Sequence, residues 1–139
     1  MDVAAETIQG WLDGGVVLET IGILVRDSQQ AGLVSRGLEE RNVDVRQIDA
    51  AAMRQGQPLV MTMHRAKGME FSRVLLFGVN DGLLPADYLL KGLAESDRED
   101  AVARERSLLY VAATRARDEL VITSSGGPSG FLPSPESST

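Results

Sequence analysis

The sequence predicts an α/β fold, a parallel or mostly parallel sheet flanked by helices. Three observations carry that expectation. Ile21 to Val25 and Arg73 to Val79 are near-continuous apolar runs, as strands buried on both faces require. A helical pattern separates the first run from an alternating segment at Val43 to Ile48, and strand, helix, strand is the unit that builds parallel sheets. Residues 59 to 71 then stop being apolar abruptly and present Thr62, His64, Arg65, Lys67, Gly68 and Glu70 within nine residues. A buried strand that delivers polar side chains to its carboxyl end is how open α/β sheets present a ligand crevice.

The elements follow in order. Val3, Ile8, Trp11 and Leu12 lie at approximately helical spacing, and Gly14-Gly15 should end that helix. Arg26-Asp27-Ser28 follows the first strand, and Ser28 is expected to cap a helix from about residue 29 to Arg41, stopped by Asn42. Val43 to Ile48 should be an edge strand, and Leu59 to Met63 the buried strand before the polar cluster. After Arg73 to Val79, residues 86 to 96 read as a loop or short helix. A helix should run from Asp97 to about Ala116, and Leu120 to Thr123 should close the sheet. Tyr110, in mid-helix, is expected in the core. The Gly-, Pro- and Ser-rich segment 124–139 reads as a tail or linker after a single domain over 1–123.

Composition removes several function classes. The chain has no cysteine and a single histidine, His64, which excludes disulfides, thiolate metal sites, cysteine nucleophiles and a multi-histidine zinc site. No metal ligands are assigned. No run of about 18 apolar residues is present, so no membrane partner is expected. An acidic amino terminus without a basic, apolar leader points to a cytoplasmic setting. The net charge of −6 argues against gripping nucleic acid by bulk electrostatics, so any phosphate contact must be local.

Residues 59–71, Leu-Val-Met-Thr-Met-His-Arg-Ala-Lys-Gly-Met-Glu-Phe, resemble motif V of the UvrD/Rep branch of superfamily 1 helicases, with Met69 in place of leucine. Residues 105–120, Glu-Arg-Ser-Leu-Leu-Tyr-Val-Ala-Ala-Thr-Arg-Ala-Arg-Asp-Glu-Leu, are similar to motif VI of the same helicases. Ser107 stands where that motif has a second arginine, and Arg104 where it has a preceding acid. The resemblance extends over residues 3 to 123 and implies a RecA-like, P-loop NTPase-type second motor domain. In many members a large insert precedes motif V; here only Asp49 to Gln57 intervenes.

The roles that follow are those the resemblance implies. Arg115 matches the arginine finger, which stabilises charge in phosphoryl transfer. Glu70 matches a residue that hydrogen-bonds the ribose, and Gly68 and Lys67 stand beside it as nucleotide contacts. Thr62 and His64 match residues that couple nucleotide state to single-stranded DNA. Asp81 and Gly82 fall in a loop similar to one beside the DNA, and Arg26 and Ser28 match a strand end that touches the DNA strand. Without the resemblance, each has a plainer reading. An arginine in the last turn of a helix complements its dipole, Lys67 is a solvated charge, Glu70 an exposed acid at a turn, and His64 a structural histidine.

Neither Lys67 nor Lys91 lies in a Gly-x-x-x-x-Gly-Lys-Ser/Thr phosphate loop, and Asp118-Glu119 is expected to precede its strand. A phosphate loop needs backbone amides, a lysine and a hydroxyl for magnesium at that spacing, so the chain alone is not expected to hydrolyse ATP. The resemblance accounts for this: ATP would sit between this domain and an ATPase half of the same polypeptide, which would hold Mg2+. Cleft closure would then move single-stranded or partly duplex DNA, usually 3′ to 5′ in these helicases. The alternative is a stand-alone, non-catalytic RecA-like domain that binds DNA or protein.

Overall fold

The computed structural model describes residues 2–47, 57–79 and 91–123. Helix α1, Asp2–Asp13, leads through a 3-10 turn at Leu18–Thr20 into β1, Ile21–Val25. Helix α2, Ser28–Glu40, is followed by β2, Arg46–Gln47, β3, Leu59–Thr62, and β4, Phe71–Leu76. Helix α3, Glu95–Ala113, and β5, Ala116–Ile122, complete the described chain. The strands form one sheet in the order β2-β3-β1-β4-β5, and each neighbouring pair is parallel. The expected α/β architecture is therefore present, with β1 at its centre.

Side-chain alternation explains the layers. Ile21, Ile23 and Val25 of β1, Val60 of β3 and Leu75 of β4 pack with Ile8 and Trp11 of α1 and Val34 and Leu38 of α2. Leu24, Leu59, Met61, Val74 and Leu76 point the other way, onto Leu108, Leu109 and Ala112 of α3. Both faces are thus covered, and burying each such aliphatic side chain is worth about 1.5–3 kcal/mol. Gly22 is buried among them because the Phe71 ring lies against it: a Cβ there would stand 2.8 Å from ring carbons.

Helix ends follow local chemistry. Both α1 and α2 close in Schellman motifs. In α1, Gly15 takes φ +83° while the Val16 amide donates to Trp11 O at 3.1 Å. In α2, Asn42 takes φ 63° and the Val43 amide donates to Leu38 O at 2.8 Å. The cap expected at Ser28 is one residue earlier: Asp27 is extended and its carboxylate accepts from the Gln30 amide at 2.9 Å. Ser28 is the first helical residue and is exposed.

Several element boundaries differ from the sequence expectation. Strand β4 starts at Phe71 rather than Arg73 and ends at Leu76, because the Phe71 amide donates to Arg115 O and so starts the ladder to β5 early. Helix α3 starts at Glu95 rather than Asp97 and ends at Ala113, three residues before Ala116. Strand β5 begins at Ala116 rather than Leu120, so Asp118 and Glu119 lie within the strand and not before it, with Glu119 paired to Arg73. Tyr110 is 71% exposed rather than in the core. The buried stripe of α3 is Ala101, Glu105, Leu108, Leu109 and Ala112, and Tyr110 falls on the opposite side. Edge strand β2 occupies Arg46–Gln47, starting three residues after the expected Val43; its expected end at Ile48, Asp81 and Gly82, and the segment 124–139 lie outside the described residues. Among the described residues no helix is long and apolar enough to cross a membrane.

Candidate functional site

The residues singled out in the sequence fall at two opposite ends of the sheet. Arg26 follows β1 and His64 follows β3, and since these strands pair in parallel with Val25 opposite Thr62, both lie at the carboxyl ends. Glu70 precedes β4, and Arg115 precedes β5, whose Ala116 pairs with Phe71. That pair lies at the amino ends. The single carboxyl-end crevice expected from the sequence is therefore two places, joined by the short crossover 63–70 and by α3.

The crossover begins with a hydrogen bond from the Met63 amide to Val25 O at 2.7 Å. It then turns tightly: the Arg65 amide donates to Thr62 O at 3.1 Å, and the Met69 amide to Ala66 O at 3.0 Å. The Thr62 hydroxyl also accepts from the Arg65 amide, at 3.2 Å, so this side chain organises the turn, as threonine does where a chain leaves a strand. Gly68 takes φ +80° with no atom within 4 Å of a notional Cβ. Backbone conformation, not close packing, requires glycine here. Met63 and Ala66 are buried against the α3 side of the sheet, which pins the crossover beneath the helix.

At the amino end, the chain brings Glu70 and Arg115 together. The Phe71 amide donates to Arg115 O at 2.8 Å, and Arg115 Nη1 donates to Met69 O at 3.4 Å, so Glu70 sits between two residues that bond Arg115. Arg115 Nε also donates to Val111 O at 3.1 Å, and Nη2 to Thr114 Oγ1 at 3.2 Å. The half-buried guanidinium thus lies against the last carbonyls of α3, where the helix dipole favours a cation. Glu70 is exposed.

At the carboxyl end, a groove of about 710 Å³ is lined by Arg26, His64, Lys67, Arg104, Glu105 and Ser107, with apolar wall residues from α3. Its floor is a buried ion pair. Arg26 Nε donates to Glu105 Oε1 at 2.7 Å and Nη2 to Oε2 at 2.8 Å, with side-chain exposures of 11% and 6%. His64 is exposed, but partial desolvation of its ring in the groove, and then the Arg26 charge, lower its pKa from the usual 6.5 while Glu105 opposes them. His64 is neutral at neutral pH, a hydrogen-bonding group rather than a fixed cation.

Placement therefore sorts the candidates. His64, Lys67 and Arg26 share the groove, whose lining continues along α3 to Val111, the residue whose carbonyl accepts from Arg115. Arg26 lies at the expected strand end, but its fork is engaged by Glu105. Ser28 is exposed on the first turn of α2 and does not line the groove. Sequence reasoning assigned no role to Glu105, Arg104 or Ser107. The signal for Glu105 was present: an acid at i−3 from Leu108 and i+4 from Ala101 sits on the apolar stripe, and a buried charge requires a partner. Among the described residues no group of three or more acidic or histidine side chains is arranged to hold a metal ion.

Comparison with known proteins agrees with this architecture. Residues 50–126 match the model of the UvrD-like helicase C-terminal domain. The chain is 44% identical over 64 residues to ATP-dependent DNA helicase Rep of Buchnera aphidicola, covering 46% of this chain and 9% of that protein. It is 40% identical over 96 residues to ATP-dependent DNA helicase PcrA of Staphylococcus aureus, covering 65% and 12%. The chain thus spans about a tenth of these relatives. The crystal structure of the C-terminal domain of a possible DNA helicase from Lactobacillus plantarum WCFS1 superposes with a TM-score of 0.66 at 20% identity, covering 94% of this chain and 69% of that one. This likeness supports the fold.

Proposed function

Since the chain belongs to the UvrD-like helicase C-terminal domain family, we propose that it serves as the second motor domain of an ATP-dependent DNA helicase. The observation that carries the reading is the convergence of Glu70 and Arg115, 45 positions apart, at the amino end of the sheet through the Met69 and Phe71 backbone. In this reading the domain closes a nucleotide site whose phosphate loop and magnesium ligands lie on the ATPase half. Glu70 accepts from the ribose hydroxyls. Arg115 leaves Met69 O and Val111 O to reach the terminal phosphate, exchanging two hydrogen bonds worth about 0.5–1.5 kcal/mol each for charge-assisted ones. The groove with His64 and Lys67 takes the single strand, and movement is 3′ to 5′.

The test is Arg115→Ala in the polypeptide joined to its ATPase half. DNA-stimulated ATP hydrolysis should fall by about 10³-fold or more if Arg115 acts as a finger, with ATP binding retained. Near-normal turnover would remove Arg115 from the reaction.

One observation favours a second reading. Arg115 and Arg26, the two arginines assigned to ligand contacts, both have their forks engaged by protein acceptors. A non-catalytic domain that keeps its motifs for structural reasons would look this way. Under that reading Arg115→Ala lowers the melting temperature and leaves hydrolysis by the joined protein intact.

A further inference from the structure

We infer that Arg26 and Glu105 form a positioning clasp that sets where α3, and with it Arg115, stands relative to the groove; the inference rests on the helicase reading above. Three observations carry it. The pair is bidentate, at 2.7 and 2.8 Å, between residues 79 positions apart, and both residues are buried. It joins the carboxyl end of the central strand to the helix whose last turn leads into Arg115. Within α3 the apolar contacts are short: residues 95–100 are all exposed, and the buried apolar side chains are Ala101, Leu108, Leu109 and Ala112.

Non-directional contacts of this kind permit a helix to slide or tilt, whereas two parallel charge-assisted bonds between planar groups fix distance and angle together. A buried ion pair adds little stability over a well-packed apolar pair, so its geometry is the property to examine. Glu105 stands eight residues, about 12 Å, before the end of α3 at Ala113, and Arg115, two residues beyond, is tied to the crossover through Met69 O. Helix α3 is therefore fastened at both ends of the sheet. The clasp lies on the groove floor beside His64, where a bound strand would bear on it. A displacement of about 1 Å at a reacting group is enough to cost 10²-fold in rate.

The experiment uses the complete helicase polypeptide carrying this domain, as wild type, Glu105→Gln, Glu105→Asp and the double variant Arg26→Met with Glu105→Leu. Melting temperature, single-strand affinity, KM for ATP and DNA-stimulated kcat are measured for each. Glu105→Gln and the double variant should lose about 10- to 100-fold in stimulated kcat at saturating DNA, with KM for ATP within about threefold of wild type. The double variant should do so at near wild-type melting temperature, and Glu105→Asp should recover part of the loss. A double variant with wild-type kcat, or losses in every variant that track only the folded fraction, would overturn the clasp. A wild-type protein without DNA-stimulated hydrolysis would instead remove the helicase reading, and the clasp with it.

Discussion

Arg115 and His64 show how much a side chain's role depends on what surrounds it. Arg115 spans Val111 O, Met69 O and Thr114 Oγ1, so the plain dipole-complementing reading and the finger reading share one residue. They differ only in whether nucleotide draws the guanidinium outward. His64 offers a separate test through its proton. Its pKa is lowered in the fold by partial desolvation in the groove and then by Arg26, so between the folded value and 6.5 the unfolded chain binds a proton that the folded chain does not. Stability must then rise with pH in that window. The contribution is complete above 6.5 and is lost as pH falls through it. Melting the chain and its His64→Gln variant at about pH 7.5 and about pH 5.5 should show a wild-type advantage that shrinks on acidification. An unchanged difference would mean that the imidazole is not withdrawn from water.

At the scale of elements, the contact of β1 with the start of β4 is the tightest fit. Gly22 has ring carbons of Phe71 2.8 Å from where a Cβ would stand, and Phe71 also begins the ladder to β5 through Arg115 O. Gly22→Ala should therefore push the ring and the start of β4, destabilising the domain by about 1–3 kcal/mol as overpacking does, read as a lower denaturation midpoint. An unshifted midpoint would show that the ring can move freely. The periodic elements were legible in the sequence because apolar spacing is a local property: α1, β1, α2 and β3 lie within one residue of their expected bounds. The starts of β4 and β5 were not, because Phe71 and Ala116 become strand only by pairing with each other. Tyr110 was misplaced for a related reason. A mid-helix aromatic does not reveal which side the sheet occupies, and the stripe through Ala101, Glu105, Leu108 and Ala112 decides it.

For the whole molecule, charge and topology set the expectation. The chain carries −6 overall, while Lys67 and Arg104 line one groove together with Arg26 and Glu105. The chain by itself should bind single-stranded DNA weakly, because few phosphates are contacted against a net negative charge, and its affinity should fall as salt rises, because those contacts are electrostatic. Fluorescence anisotropy with a labelled oligonucleotide at low and physiological salt measures this. Tight, salt-insensitive binding would favour the stand-alone binder over the motor domain.

The amino-acid sequence alone determined the α/β class, the central apolar strand, the two motifs and their order, since these depend on residue types at short spacing. Only the tertiary structure decided that the candidates separate into a carboxyl-end groove and an amino-end pair, that Lys67 and His64 line one groove, and that Glu105 engages Arg26. The reason is physical: which end of a sheet a residue occupies, and which distant charge it meets, depend on strand order and on the path of α3. Pairings across 45 or 79 positions leave no trace in local spacing.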